Sequence, residues 1–264
     1  MESDLPLNAR RIAAALAGQA LGSEIQVHEE LASTNDFTRQ LGEAGHPHGA
    51  VVLAEHQTAG RGRRENVWTA GARRNLLLSV LLRPELRLEF WPRITTLAAL
   101  ALSRAIESHT KLQPSIKWPN DIYLAGLKCA GILAETFHSS TGPFLVLGLG
   151  LNVNEGAFPR ELQTTATSLK LAAGGGHWDR DAIAIAVLKQ LGLAMAQWDN
   201  GFDQIISEVR QRNLLLGRRI AARVNDAWME GIAEDLDANG HLLLRKDGGE
   251  LTPLTSAEQV RPCP

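Results

Sequence analysis

The chain has 264 residues, of which 44% are hydrophobic and 21% charged, and a formal net charge of -2. That balance excludes a disordered or fibrous protein and a domain given over to nucleic acid, which is usually basic, and it leaves room for one large domain and a small one. The start Met1-Glu2-Ser3-Asp4 is acidic where a signal peptide is positive, and no apolar run approaches the roughly 20 residues of a membrane span, so a cytoplasmic protein is expected.

In chain order, Asn8 to Leu21 has helical periodicity, with Ile12, Leu16 and Ala20 on one side. Ser33-Thr34-Asn35-Asp36 precedes Phe37 and Leu41 as a helix start, a stretch expected to supply an N-cap whose side-chain oxygen satisfies free backbone amides. The apolar run Ala50 to Ala54 reads as a strand leading into Gln57-Thr58-Ala59-Gly60-Arg61-Gly62-Arg63-Arg64 and Trp68. Glycines there free the backbone to bend around a ligand, and the arginines supply forked donors that match carboxylate or phosphate geometry. The Walker ending is missing, as are the third glycine and helix of a dinucleotide fingerprint, so by itself the loop fits a nucleic-acid patch or a solvated turn.

Asn75 to Leu82 is almost wholly apolar, as a strand covered on both faces would be, and Pro92 to His109 keeps helical spacing. Lys117-Trp118-Pro119-Asn120-Asp121 and Lys128 to Glu135 place two cations, an amide and a carboxylate at a turn between apolar runs. Those groups suit a nucleotide phosphate, with Asp121 able to hold a divalent metal or a ribose hydroxyl; a hairpin with a charged, solvated face is the plain alternative. Phe144 to Val153 reads as a central strand whose Gly148 and Gly150 remove side chains where a ligand approaches, or where a bulge sits.

Residues 155 to 178 read as irregular, Asp179 to Trp198 and Phe202 to Leu215 as helices. Beyond Gly217 four short strands are expected, at Arg218 to Val224, Ala227 to Leu236, His241 to Arg245 and Glu250 to Leu254, with turn signals at Asn225-Asp226, Asn239-Gly240 and Asp247-Gly248-Gly249. A small β-barrel follows from them. Cys129 and Cys263 read as reduced thiols, the eight histidines have no zinc spacing, and no Gly-x-Ser-x-Gly elbow supports a hydrolase.

Ser33-Thr34-Asn35, Gln-x-x-Gly-Arg-Gly-Arg from Gln57, Lys-Trp-Pro-Asn-Asp from Lys117, Lys-x-Ala-Gly-Ile-Leu-x-Glu from Lys128 and Gly-x-Gly-x-Asn-Val from Gly148 together resemble the biotin protein ligases. The resemblance spans residues 33 to 153 and extends more loosely to the C-terminus. It implies an α+β fold: a mixed β-sheet flanked by helices, as in class II aminoacyl-tRNA synthetases and biotin-lipoate ligases, over residues 1-215, then an SH3-like β-barrel over 216-264. It implies an ATP-dependent ligase that makes biotinyl-5'-AMP, with Mg2+, and passes biotin to the biotin carboxyl carrier protein of acetyl-CoA carboxylase.

By that resemblance Ser33, Thr34, Asn35 and Gln57 pair the ureido ring of biotin, whose pocket also takes in Arg61, Gly62, Arg63, Lys128, Gly131 and Gly148. ATP falls to Arg61, Arg63, Arg64, Trp68, Lys117, Asn120, Asp121 and Asn152, with Asp121 as the metal ligand, and Lys128 and Arg63 are the catalytic pair. The loop departs from the family at Glu65-Asn66, where glycine and a basic residue are usual. Relatives with a DNA-binding winged helix carry it in front; only 32 residues precede Ser33 here, so no specific DNA is expected to bind. No membrane partner is expected, and the sequence leaves a homodimer open. The rival readings are a lipoate or octanoate ligase, which needs an apolar tunnel in place of a ureido-pairing pocket, and a nucleic-acid-binding regulator.

Overall fold

The computed structural model describes residues 5-64 and 66-263. Its first sheet has seven strands: β1 (Glu24-Leu31), β2 (Ala50-Gln57), β3 (Leu76-Leu82), β4 (Ser115-Lys117), β5 (Asp121-Leu124), β6 (Leu127-Ser139) and β7 (Gly142-Leu151), in the order β1-β2-β3-β7-β6-β5-β4. Only β1 and β2 run parallel; every other neighbour pair is antiparallel. The strand expected to be central, β7, is the middle one.

The pleat sorts the side chains. Leu145, Leu147, Leu149 and Leu151 of β7 and Leu76, Leu78, Val80 and Leu82 of β3 join one large core. That core includes residues of α1 (Ala9-Ala15), α3 (Arg93-Thr110), α5 (Arg180-Met195) and α6 (Phe202-Arg212). Phe144 and Val146 face the other way, with Leu41 of α2 (Thr34-Glu43) in a second, smaller core. Further along that face β7 carries Gly148 and Gly150, so the sheet is left bare beyond the N-terminus of α2. The functional cavity lies there.

The first helix is shorter than its periodicity predicts, because Gly18 takes φ 76° and the chain turns. The irregular stretch contains a single helical turn, α4 (Leu169-Ala172), while α5 is capped by Asp179, one of two aspartates at the start of that helix, accepting from Ala182 N. Ala125 and Gly126 join β5 to β6 with φ 48° and 82°, the geometry of a two-residue hairpin.

The C-terminal SH3-like unit is an antiparallel sheet of five strands: β8 (Arg219-Val224), β9 (Ala227-Leu236), β10 (Leu242-Arg245), β11 (Leu251-Leu254) and β12 (Gln259-Pro262), ordered β11-β10-β9-β8-β12. The sequence reading finds four of these and misses β12. It is an edge strand of four residues ending in proline, with too little alternation to register. Trp118 Nε1 donates to Gly240 O at 3.0 Å and Arg63 Nη1 to Ala257 O at 3.1 Å, which seats this unit over one end of the first sheet.

Candidate active site

A cavity of about 490 Å3 opens on the bare face of the sheet. One end is a polar cradle at the start of α2. Ser33 is the N-cap residue but its side chain makes no cap hydrogen bond, contrary to expectation; Gln57 takes that place, its Oε1 accepting from Thr34 N at 2.7 Å and from Thr34 Oγ1 at 2.9 Å. The Ser33 hydroxyl is thereby spared from capping. Ser79, fully buried on β3, lies 2.8 Å from Thr34 Oγ1 and 2.6 Å from Asn35 Oδ1, and Asn35 Nδ2 donates to Glu135 Oε2 at 2.9 Å. Neither Ser79 nor Glu135 is singled out by sequence. Ser79 is hidden in an apolar run, and Glu135 ends a motif without its own chemical label.

The glycines on this face make room first for protein. A Cβ on Gly148 would lie 2.1 Å from Asn35 Oδ1, and one on Gly150 would lie 2.6 Å from Trp68 Cε2. Gly131, opposite Gly150 in register, would meet Trp68 Cζ3 at 3.1 Å. The close approach expected of a ligand is therefore made by Asn35 and by the Trp68 indole, and both side chains in turn line the cavity.

The other end is cationic. The loop after β2 folds back on itself, Gly62 N donating to Asn66 O and Trp68 N to Gly60 O, which brings Arg61, Gly62, Arg63 and Trp68 to the cavity wall. Glu65, half of the departure noted above, lies outside the described residues; Asn66 supports the turn by donating to Arg63 O. Arg61 Nη2 reaches Asp36 at 2.9 Å and Glu135 at 2.7 Å. Arg63 bonds neutral partners, Asn120 Oδ1 at 3.4 Å and Ala257 O, and burial lowers its pKa.

From the hairpin, Lys117, Asn120, Asp121 and Lys128 all reach the cavity. Lys128 Nζ sits 2.7 Å from Asp121 Oδ1 and 5.8 Å from the Trp68 ring centre. Lys117 is half-buried, and that burial lowers its pKa against the opposing pull of Asp121, with Lys128 adding to the depression. Burial, aided by Asp121, pushes Tyr123 up to about 12.

Two expected contacts are placed elsewhere. Asn152 is not on the cavity wall: it is buried, Nδ2 donating to Thr167 O at 3.0 Å, and holds the segment before α4. Arg64, with φ 59°, is not on the cavity wall itself but pairs with a wall residue, Glu258, at 2.7 Å. Asp121 is held by Lys128, and among the described residues no group of three or more His, Cys, Asp or Glu is placed to hold a metal. Residues 257 to 261 of the C-terminal sheet form the remaining wall, which follows from the unforeseen β12.

A hydrogen-bonding cradle joined to a patch of cations, on the bare face of a mixed sheet, is the site of a protein that takes a small ligand with both polar and anionic groups. Residues 27-152 match the Biotin/lipoate A/B protein ligase family, and residues 215-258 match the Biotin protein ligase C terminal domain. The chain is 36% identical to the biotin--[acetyl-CoA-carboxylase] ligase of Mycobacterium tuberculosis over 97% of its own length and 95% of the relative's. It is 34% identical to the bifunctional ligase/repressor BirA of Bacillus subtilis, over 89% of this chain and 73% of that one. The structure of the Aquifex aeolicus biotin protein ligase in complex with biotin and ATP superposes with a TM-score of 0.81 at 28% identity, covering 91% of this chain and all of that one. The chain belongs to the biotin protein ligase family.

Proposed function

We propose that this enzyme joins biotin to AMP and then transfers it to a lysine of the biotin carboxyl carrier protein of acetyl-CoA carboxylase. In the first step a biotin carboxylate oxygen attacks the α-phosphorus of ATP, the new O-P bond forms, and pyrophosphate leaves. In the second a neutral lysine amine attacks the acyl carbon, AMP leaves, and the amine proton passes to solvent. The observation that carries this reading is the meeting, in one cavity, of the cradle from Ser33, Thr34, Asn35 and Gln57 with the cations Arg63, Lys117 and Lys128.

The cradle suits a cyclic urea, which offers two N-H donors and one carbonyl acceptor. Lys128 is assigned to the bridging region where carboxylate and α-phosphate meet, Arg61 and Arg63 to carboxylate and phosphates, Lys117 to phosphate and Trp68 to the adenine side. Concentrating anions costs free energy in water, and preorganised cations offset it. Asp121 does not fit a protein-held metal, being alone and paired with Lys128; Mg2+ is assigned to the triphosphate, which supplies its oxygens. Residues 1-215 constitute the ligase domain in this reading and 216-264 the barrel that walls it. Among the described residues no helix is long and apolar enough to cross a membrane. Incubation with MgATP, biotin and the carrier domain should add one biotinyl group to one lysine, read by intact mass. Addition of a lipoyl group in its place would overturn the proposal.

A further inference from the structure

Glu135 is the last residue of its motif, on the same face of β6 as Gly131 and Leu133, and its side chain is 24% exposed. One of its oxygens is reached from two directions. Oε2 accepts from Asn35 Nδ2 at 2.9 Å and from Arg61 Nη2 at 2.7 Å. Asn35 comes from the cradle, Arg61 from the loop that supplies the cations, and no other side chain among those bonds is common to both.

A carboxylate can only accept, so the side of the Asn35 amide that faces Glu135 must be its NH2. Oδ1 then accepts from Ser79 Oγ at 2.6 Å above Gly148, with a second lone pair left for a donor, and both Asn35 and Gly148 line the cavity. Nδ2 also lies 3.5 Å from Leu133 O, at the long limit of a hydrogen bond, so Glu135 at 2.9 Å is the stronger of the two acceptors that fix this amide. The ion pair to Arg61 ties the same carboxylate to the loop, so the orientation of the cradle and the closure of the loop share one group.

We propose that Glu135 is a positioning residue for the carboxylic-acid substrate: it sets Asn35 with its oxygen toward the cavity, as an acceptor for an N-H of the cyclic urea, and anchors Arg61 beside it. This rests on the biotin reading above. Asp36 also binds Arg61, at 2.9 Å, but makes no bond to the Asn35 side chain, so it cannot substitute in the first role.

The test is calorimetric titration of biotin, without nucleotide, into the wild type, Glu135→Gln, Asn35→Ala and the double variant. Glutamine matches the shape but can turn its own NH2 toward Asn35 or Arg61. Glu135→Gln should weaken biotin about tenfold, the scale of one lost charge-assisted hydrogen bond, with ATP affinity and melting temperature little changed because Asp36 still holds Arg61. KM for biotin should rise while kcat at saturating biotin holds. The double variant should bind no more weakly than Asn35→Ala alone, because one side chain acts through the other. Biotin binding by Glu135→Gln within twofold of wild type, or additive losses in the double variant, would overturn the role of Glu135 while leaving the enzyme a biotin ligase. Failure of the wild type to bind biotin would instead bring down the functional reading and this inference with it.

Discussion

Removing the ammonium of Lys128 separates a catalytic role from a structural one. In the fold Lys128 is worth little: its partner Asp121 is 2.7 Å away, but the two side chains are 34% and 20% exposed. A pair of that kind contributes about 0 to 1 kcal/mol, so Lys128→Ala should lower the melting temperature by about 2 to 4 °C at most. In the reaction it is worth more. It is held between Asp121 and the face of Trp68, and in the proposed reaction its charge is preorganised where carboxylate and α-phosphate meet. Deleting one such group costs about 3 to 4 kcal/mol of barrier, or about a hundred- to a thousandfold in rate. Lys128→Arg should rescue only in part, since a larger planar fork cannot occupy the position of a compact point charge between Asp121 and Trp68. Pyrophosphate exchange and biotinyl transfer from preformed adenylate would be measured separately, alongside thermal melting. Near-normal rates in both, with an intact fold, would refute the assignment.

Arg63→Ala should let biotinyl-adenylate leak, since charge-assisted hydrogen bonds of about 1.5 to 3 kcal/mol each are lost; unchanged dissociation in single turnover would remove Arg63 from this role. Gly150→Ala should expel the Trp68 indole, from which its Cβ would stand only 2.6 Å, at about 1 to 3 kcal/mol of stability, read by denaturation and tryptophan fluorescence; an unshifted spectrum at full stability would contradict the packing. Lys117, whose burial lowers its pKa, should lose its proton below the ordinary 10.5, so adenylation should fall on the alkaline side before that pH and Lys117→Arg should move the limb upward. The sign for folding is opposite: the buried charge disfavours the native state at low pH, and this group's contribution to stability rises as pH climbs from the lowered pKa toward 10.5. Glu55→Ala would strand Arg180, its partner at 2.6 Å with both side chains buried, and should cost about 3 to 5 kcal/mol by chemical denaturation; a loss under 1 kcal/mol would mean the site relaxes.

The helices and the large sheet were legible wherever a period was strong: α3 and α5 lie where their spacing puts them, and β3 is buried along its length as its apolar run requires. The cationic loop and the hairpin were legible because glycine, arginine and lysine declare their chemistry locally. What was not legible depends on neighbours far apart in the chain. Ser33 looked like a capping side chain because nothing local says that Gln57, on another strand, does the capping. Gly148 and Gly150 were read as places where a ligand approaches, yet the groups found against them, Asn35 and Trp68, come from elsewhere in the chain. Asn152 bears a polar side chain next to a glycine-rich strand, and only the three-dimensional path of residues 165 to 169 shows that its amide is spent on Thr167. The wall from residues 257 to 261 depends on an edge strand of four residues whose pairing to β8 has no sequence period to announce it.

The central claim is that one cavity activates the carboxylate of biotin with ATP. Exchange of labelled pyrophosphate into ATP by the purified full chain reports that step alone, without a carrier protein. Label should enter ATP only when biotin is present, and lipoate or octanoate at the same concentration should leave ATP unlabelled. Exchange supported by lipoate or octanoate, or exchange that ignores biotin, would contradict the account.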